Sequence, residues 1–327
     1  MLLFGPRVFE SRRQCPIFVD ANYLDDARHR VDPSVHPLYA LLERARLAGA
    51  RAWPLTGFGR SDDYQEAAAK FHLKHDTPIA MEINLTDLGS AELARRLTSL
   101  CNQVSCDPAD AVLVVNGGPL RVSEADELLF AELLIQKLNE LPKLYEWNQI
   151  AFVATSLSDP LKIMPEEQKI IRRAEWHIRE ILLKKMADLY RLPIFADYGV
   201  EYTKDLRPRR ARPSAKLSYT RENDHFYAKG QNVKQAGYEA IYPVADVVAT
   251  CDGFKGSAFS LGDARIVEWH HRNASTGNAP TWRWAEVDHH LATVVPALAA
   301  QKGIALEIPA NEPVVEQSDL FSMIPAK

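Results

Sequence analysis

The residues with the greatest capacity for chemistry lie between positions 251 and 297. This stretch holds Ser260, Asp263, four histidines and three tryptophans beside a glycine-containing turn. Such side chains hydrogen-bond, stack on rings or transfer protons, and turn glycines let the backbone approach a ligand closely. The sequence therefore predicts that one wall of a binding or catalytic site comes from this stretch.

Polar residues also end several apolar segments in the first two-thirds of the chain. Asp20, Glu82 and Asp197 lie at or near the carboxyl ends of predicted strands, as do Asn22 and Asn116. In a barrel of parallel strands, such ends converge on one mouth. Carboxylates that meet a histidine there form a divalent-metal site or a general acid/base site. The sequence leaves both open, assigns no residue as a metal ligand and leaves any cofactor unknown.

Two sets of candidate site residues follow. The predicted catalytic set is Asp197, Asp263, Arg283 and His289. The predicted binding set is Asp20, Glu82, Tyr198, Tyr219, Lys229, Ser260 and His290. Plainer roles stay open for several members, because aspartates are frequent in turns and buried tyrosines with a hydrogen-bonded hydroxyl are common.

The region around Arg283 has two possible local structures. Trp282 and Trp284 alternate with Arg283, so in a strand both tryptophans face the core while Arg283 faces a carboxylate or phosphate. Further along, His289 and its neighbour point to opposite faces if that segment is extended. If Asp288 instead caps a helix over residues 291–300, both histidines lie at its first turn.

The elements that must position these residues alternate regularly. Apolar, β-rich runs predict strands over residues 16–22, 51–56, 78–85, 111–116, 149–155 and 192–197. Helical spacing predicts helices over residues 37–47, 62–75, 90–104, 123–138 and 165–190.

Alternation of this kind predicts a parallel sheet, because a helix supplies the crossover between strands that run the same way. No strand is followed by a GxGxxG or GxxxxGK[ST] turn, which disfavours the common nucleotide-binding open sheets. We therefore expect a (β/α)8 TIM-barrel-like α/β domain over residues 1–305. Its last third should be irregular, with a β-hairpin over residues 216–220 and 225–229, a helix near residues 238–250 and a flexible tail over residues 306–327.

Composition limits the class of protein. The chain has 327 residues, is 46% hydrophobic and 25% charged, and carries a net charge of −4. The net charge argues against broad coating of nucleic acid and leaves only a local contact open. Apolar runs are too short to cross a bilayer, and the four cysteines lack metal spacing. We expect a cytoplasmic protein without a membrane partner.

Short motifs follow one another through the C-terminal half. They are ADYG (196–199), SYT (218–220), KG (229–230), FSLGD (259–263), WR (282–283) and HH (289–290). In order and spacing they resemble the beta family of phage and satellite-phage proteins, a resemblance that covers most of the chain. Two positions depart from the family: Glu82 replaces a residue that tends to be basic, and Asn116 replaces a common Asp.

The resemblance implies a role rather than a reaction. The namesake of the family is similar to an antidote that is encoded beside a killing protein in an anti-phage cassette of satellite prophages. A co-encoded toxin or defence protein is therefore an implied partner. No catalytic activity comes with the resemblance, and the motif positions are carried over as a candidate site.

The C-terminal tail contains a second resemblance. Gln317, Asp319, Leu320 and Phe321 within QSDLF resemble the short motif by which proteins bind the bacterial sliding clamp. In that motif the Leu and Phe fill an apolar pocket and the Gln hydrogen-bonds at its edge. The alternative is that these apolar residues pack back on the barrel.

Two classes of function remain open from the sequence. The first is an antidote, regulator or sensor in phage defence, recruited to replication by its tail. The second is a barrel hydrolase, such as a phosphodiesterase, that uses mouth carboxylates and a histidine with a divalent metal. Whether the chain is an enzyme at all stays undecided, because no known set of catalytic motifs is present.

Overall fold

A computed structural model of the chain describes residues 3–12, 15–25, 32, 34–157, 163–200 and 214–306. These residues form two compact units. The first contains the described residues up to Thr155 together with Ala174–Tyr198. The second contains the described residues of Ser156–Arg173, Gly199, Val200 and residues 214–306.

The described residues contain nine strands and ten α-helices. The strands are β1 (Ile17–Val19), β2 (Ala52–Gly57), β3 (Ile79–Asn84), β4 (Ala111–Pro119), β5 (Gln149–Thr155), β6 (Gln168–Arg172), β7 (Ile194–Asp197), β8 (Ser214–Thr220) and β9 (Asp224–Asn232). The helices are α1 (Phe4–Arg12), α2 (Pro37–Leu47), α3 (Asp62–His75), α4 (Leu93–Val104), α5 (Glu127–Asn139), α6 (Ala174–Lys184), α7 (Val233–Ala236), α8 (Ile241–Ala249), α9 (Leu261–His270) and α10 (Ala279–Gln301).

The first unit is built on a parallel sheet with strand order β1-β2-β3-β4-β5-β7. Every neighbouring pair is parallel, and the sheet curls as a half-barrel with helices in the crossovers. The six strands are those that the sequence predicts. Buried residues of the central strands, such as Ile79, Met81 and Leu113, form its core. Because all strands run the same way, their carboxyl ends share one edge.

The second unit carries an antiparallel sheet with strand order β6-β9-β8. Strands β8 and β9 form the predicted hairpin, with Tyr219 paired to Phe226. Helices α8, α9 and α10 bury Ile241, Trp269 and Trp282 with the sheet in one core. In the described chain the last third thus adds antiparallel strands to the six parallel ones, and closure into an eight-stranded barrel stays a prediction.

The predicted helix over residues 165–190 is wrong in its first part. Residues Gln168–Arg172 are strand β6, which pairs antiparallel with β9, and the helix begins only at Ala174. Ile171 is buried in the second unit while Ile170 is exposed, which is the alternation of a half-covered strand. The hydrogen bonds and burial that β9 supplies override a helical spacing that is present in the sequence.

The extended reading of residues 282–290 is also wrong, because this segment lies inside α10. Asn278 caps the helix by accepting the backbone N–H of Thr281 at 3.2 Å, and Pro280 follows in the first turn. Asp288 is therefore mid-helix and is not a cap. Its carboxylate instead accepts the backbone N–H of Gly262 at 2.7 Å.

None of the helices in the described ranges is both long enough and apolar enough to pass through a membrane. Residues 307–327, which include Gln317, Asp319, Leu320 and Phe321, lie outside the described residues.

Candidate functional site

The predicted site residues fall into both units. Asp20, Glu82, Asp197 and Tyr198 belong to the first unit, and Tyr219, Lys229, Ser260, Asp263, Arg283, His289 and His290 belong to the second. Within each unit some of these residues join a polar network. We call Asp20, Arg60, Glu82, Asn116 and Tyr198 the strand-end cluster. We call Tyr219, Thr220, Ser260, Asp263 and His289 the buried network.

The strand-end cluster lies along the carboxyl edge of the parallel sheet. Asp20 follows β1, Arg60 follows β2, and Tyr198 follows β7, while Glu82 and Asn116 lie in the second halves of β3 and β4. In folds with parallel strands, ligands bind at this edge, because loops and strand ends there are free to carry function. Asp197, the last residue of β7, ends at the same edge.

A hydrogen-bonded chain orients Glu82. The hydroxyl of Tyr198 donates to Asn116 Oδ1 at 2.7 Å, and the backbone N–H of Gly118 donates to the same oxygen at 2.8 Å. Two donors on one oxygen fix the orientation of the amide. Asn116 Nδ2 consequently faces Glu82 and donates to its Oε1 at 2.8 Å. The carboxylate of Glu82 is held in place, while its second oxygen makes no hydrogen bond within the part of the chain that the structure describes.

Arg60 lies between the two carboxylates of the cluster. Its Nη2 is 3.2 Å from Asp20 Oδ2 and 3.6 Å from Glu82 Oε2, which is beyond hydrogen-bond distance. Its guanidinium also lies 5.8 Å from the centre of the Tyr64 ring. Arg60 Nε is buried and has no hydrogen-bond partner among the described residues. The guanidinium therefore uses little of its donor capacity.

Asp20 is fixed by two further donors. Its Oδ1 accepts the backbone N–H of Asn22 at 2.8 Å and lies 3.1 Å from the hydroxyl of Tyr64. Tyr64 is wholly buried at the first turn of α3, where Ser61 caps the helix. The start of α3 thus supports the end of β1.

The strand-end cluster is partly open to solvent. The side chains of Asp20 and Glu82 are 35% and 22% exposed. Burial, reinforced by the nearby charge of Glu82, raises the pKa of Tyr198 to about 12. Tyr198 is therefore a neutral phenol at neutral pH, and its hydroxyl donates a hydrogen bond to Asn116. The cluster offers fixed donors and acceptors to a ligand.

The buried network centres on Asp263. Its Oδ1 accepts the hydroxyl of Tyr219 at 2.6 Å, and its Oδ2 accepts the hydroxyl of Ser260 at 2.7 Å. His289 Nδ1 lies 2.8 Å from the same Oδ2. On the other side of the ring, His289 Nε2 lies 2.7 Å from the backbone carbonyl oxygen of Thr220. The ring of Tyr219 stacks on that of His289 at 3.7 Å.

These contacts place both ring nitrogens of His289 against protein oxygens. A backbone carbonyl only accepts, so Nε2 donates to the Thr220 carbonyl oxygen. Nδ1 shares a hydrogen bond with Asp263 Oδ2, which also accepts the hydroxyl of Ser260. The side chains of His289 and Asp263 are 1% and 0% exposed, so the pair is out of contact with solvent.

Close packing of two helices brings the buried network together. Ser260 caps α9 by accepting the backbone N–H of Asp263 at 3.1 Å. A Cβ at Gly262 would lie 2.2 Å from the carbonyl oxygen of Ala285 in α10, so only glycine allows this approach. Asp263 on α9 thereby reaches His289 on α10.

The remaining predicted residues of the second unit are His290, Lys229 and Arg283. His290 Nδ1 is 2.9 Å from the hydroxyl of Thr220, which places His290 beside the buried network. Lys229 Nζ donates to the carbonyl oxygen of Ile163 at 2.5 Å. Arg283 is exposed on α10. Because Asp197 and Arg283 belong to different units, their convergence on one site stays a prediction.

Sequence reasoning missed Arg60 and Tyr64, and it included Thr220 only as a position of the SYT motif, without a role. Arg60 follows β2 after a Gly-Phe-Gly turn, so its position at a strand end was readable from the sequence. Thr220 acts on His289 through its carbonyl oxygen, which no side-chain pattern reveals. Among the described residues, no group of three or more His, Cys, Asp or Glu is arranged to hold a metal ion.

Comparisons with known proteins give one extensive match. A family model described as Beta protein matches residues 4–296. None of the curated proteins matches the chain. Among solved structures, the triosephosphate isomerase of Bartonella henselae is 10% identical over 48% of this chain and 61% of its own, with a TM-score of 0.26. The alignment thus spans less than two thirds of the isomerase, and at this TM-score the similarity carries no argument.

Proposed function

Because the chain belongs to the Beta protein family, which is consistent with a phage-related protein, we propose that it is a regulatory binding component of an anti-phage defence system. In this proposal the strand-end cluster binds a ligand, and its occupation controls an antidote or sensor activity toward a co-encoded killing protein. The observation that carries the proposal is Glu82. One of its oxygens is held by Asn116, and the other, at a partly exposed strand end, accepts no hydrogen bond from any residue that the structure describes.

The electrostatics of the strand-end cluster support binding over metal-assisted hydrolysis. A divalent cation held by Asp20 and Glu82 would lie next to the guanidinium of Arg60, which is 3.2 Å from the first carboxylate and 3.6 Å from the second. Like charges at such distances repel strongly in a partly buried site. The positive charge of Arg60 therefore lies between the two carboxylates, where a metal-dependent hydrolase would need its cation.

The buried network supports a structural role for Asp263 and His289. A general base needs a lone pair directed at a substrate proton. In His289 both ring nitrogens lie within hydrogen-bond distance of protein oxygens. The pair supports the packing of α9 on α10, and the ligand-binding role is assigned to the strand-end cluster.

A phage-challenge assay tests the proposal. The chain is expressed with its neighbouring genes, and the efficiency of plaquing is compared for wild type, Glu82→Gln and Arg60→Met. Both variants remove a charge from the cluster, so we expect them to bind the ligand at least about tenfold more weakly, a loss of ~1.4 kcal/mol. Protection should fall with the occupation of the site. Glu92→Gln is the matched control, because Glu92 is an exposed glutamate that pairs with Arg95 at the start of α4. Full protection by both cluster variants at wild-type protein levels would contradict the proposal.

Recruitment to the sliding clamp is a separate part of the proposal, and it rests on the QSDLF sequence. We expect the double substitution Leu320→Ala and Phe321→Ala to abolish binding to the purified bacterial clamp. In proteins with that motif, the Leu and Phe side chains fill an apolar pocket of the clamp. Val314→Ala with Val315→Ala in the same tail is the control. Clamp binding that survives the first pair of substitutions would remove the motif from the proposal.

A further inference from the structure

We propose that the ligand of the strand-end cluster is a neutral molecule with vicinal hydroxyl groups, such as a sugar or the ribose of a nucleoside. This inference rests on the proposed function, because it assigns the chemical class of ligand to the same site. It follows from the donors and acceptors that the cluster has left after its internal hydrogen bonds are counted.

The open donors and acceptors of the cluster lie side by side. Glu82 Oε2 is an acceptor without a hydrogen bond among the described residues, and it lies 3.6 Å from Nη2 of Arg60. The hydrogen bond of the Arg60 guanidinium within the described residues goes to Asp20 Oδ2 at 3.2 Å, which leaves it donors to spare. A hydroxyl group both donates and accepts. One hydroxyl can therefore donate to Glu82 while it accepts from Arg60, and a second, adjacent hydroxyl can reach the Asp20 carboxylate.

The charges of the cluster favour a neutral ligand. Asp20 and Glu82 together outweigh Arg60, so an anionic ligand would meet a net negative site. A cationic ligand would meet the guanidinium that lies between the carboxylates. A neutral polar ligand incurs neither repulsion.

An exposed aromatic residue lies close to Asp20 along the chain. Tyr23 follows Asn22, whose backbone N–H donates to Asp20 Oδ1, and Tyr23 is 52% exposed. The C–H face of a sugar ring, or a nucleoside base, packs on such an aromatic side chain. Tyr23 is therefore the aromatic residue that the proposal assigns to the ring of the ligand.

Isothermal titration calorimetry of the full-length chain tests the ligand class. The probes are adenosine, 2′-deoxyadenosine, methyl glucoside, ribose 5-phosphate and spermidine, which separate ribose from hexose and neutral from charged ligands. We expect adenosine or methyl glucoside to bind with a dissociation constant of about 1 mM or tighter. If the ribose is recognised, 2′-deoxyadenosine should bind at least about tenfold more weakly, because it lacks one of the two hydroxyls.

Variants tie the binding to the cluster. Glu82→Gln should weaken the best neutral probe at least about tenfold, since a hydrogen bond from a hydroxyl to a carboxylate is stronger than one to an amide. Tyr23→Ala should weaken it severalfold, and Glu92→Gln should leave it unchanged. The inference is overturned if wild type binds no neutral diol up to about 10 mM, or if ribose 5-phosphate or spermidine binds and the neutral probes do not.

The two proposals fail in different ways. If Glu82→Gln loses phage protection while wild type binds none of the neutral diols, the ligand class is wrong and the proposed function stands. If wild type binds a neutral diol through Glu82 while Glu82→Gln protects fully, the site binds its ligand but the proposed function is wrong.

Discussion

The strand-end cluster and the buried network both contain an aspartate and a tyrosine. They differ in how much hydrogen-bonding capacity their side chains leave unused. In the buried network, both oxygens of Asp263 and both ring nitrogens of His289 lie within hydrogen-bond distance of neighbours inside the second unit. In the strand-end cluster, Glu82 Oε2 and Arg60 Nε are without hydrogen bonds in the described structure. Each network contains a tyrosine and at least one acid, so these residue types alone do not separate them.

The difference shows that density of reactive side chains is a poor guide to function. Residues 251–297 are the richest stretch in the sequence, yet the aspartate and histidine at their centre are saturated with hydrogen bonds and buried. A polar group that is fully satisfied in the core supports the fold. A group that is held in place with capacity to spare at a strand end can bind a ligand. Substitutions in each of the two networks test whether their roles differ in this way.

The largest effect is expected at the centre of the buried network. His289→Ala removes a buried ring together with its hydrogen bonds to Asp263 Oδ2 and to the Thr220 carbonyl oxygen, so we expect the free energy of unfolding to fall by about 3 to 5 kcal/mol. The measurement is urea denaturation followed by circular dichroism. His270→Ala is the control, because His270 pairs with Asp246 at 2.8 Å in a half-exposed position and should cost less than about 1 kcal/mol. Similar losses for the two variants would contradict a structural role for the buried network.

The next effect concerns the packing that forms the buried network. Gly262→Ala places a Cβ against the carbonyl oxygen of Ala285, so α9 and α10 must move apart, at a cost of about 1 to 3 kcal/mol or more. Gly89→Ala is the control, since nothing lies within 4 Å of a Cβ at that position. Thermal unfolding of both variants gives the comparison. An unchanged melting temperature for Gly262→Ala would show that the network tolerates separation of the helices.

A smaller, pH-dependent effect is expected at Glu286, which is buried on α10. Burial raises the pKa of this carboxyl above its ordinary value, and the opposing influences are Lys216, whose Nζ is 3.4 Å away, the Ser218 N–H at 2.6 Å and Arg283. Because the folded-state pKa of Glu286 is raised, the contribution of this carboxyl to stability is fully present below its unfolded-state pKa. That contribution is lost as pH rises through the folded-state pKa.

Glu286→Gln keeps an acceptor for Ser218 and does not ionise. We expect the variant to be more stable than wild type at neutral pH, with the difference shrinking on acidification. Urea unfolding at several pH values measures it, with the half-exposed Glu268 on α9 as the control for Glu→Gln. A difference that grows at low pH would reverse the assigned direction.

The smallest effect on stability is expected in the strand-end cluster. Tyr198→Phe removes the hydrogen bond to Asn116 and should cost about 0.5 to 1.5 kcal/mol at neutral pH. Because the pKa of Tyr198 is raised to about 12, its contribution is complete below the unfolded-state value of about 10 and is lost as pH rises toward 12. The two proteins should therefore converge in stability over that alkaline range. Tyr145→Phe, at an exposed position, should show no such convergence.

The sequence predicts the first unit well because its signals are local. Strand ends carry Asp20 and Glu82, and the alternation of strands and helices requires a parallel sheet, so both acids were placed on one edge correctly. Strand β6 was missed because its pairing with β9 is a long-range interaction that its own spacing does not encode. The start of α10 was readable from Asn278 and Pro280, and its omission led to the wrong face for Trp284, which is exposed although Trp282 is buried as predicted.

The roles of the site residues could not be predicted in the same way. Whether a carboxylate is saturated depends on partners that lie far away in the chain, such as the Thr220 carbonyl that faces His289. Burial of the whole network depends on the approach of two backbones at Gly262, which a pattern of side chains does not report. The tail motif at Gln317–Phe321 lies outside the described residues, so clamp binding rests on the sequence and stays a prediction.

The route of the chain between the two units has a consequence for how the protein can be divided. The chain leaves the first unit after Thr155, contributes β6 to the second, and returns at Ala174 before β7 completes the parallel sheet beside β5. A single cut at Thr155 would yield one piece without β7 and another that joins α6 and β7 to the wrong partner. Separate expression of the units therefore requires grafting Ala174–Tyr198 onto the N-terminal piece, and proteolytic dissection at one peptide bond should not release two folded halves.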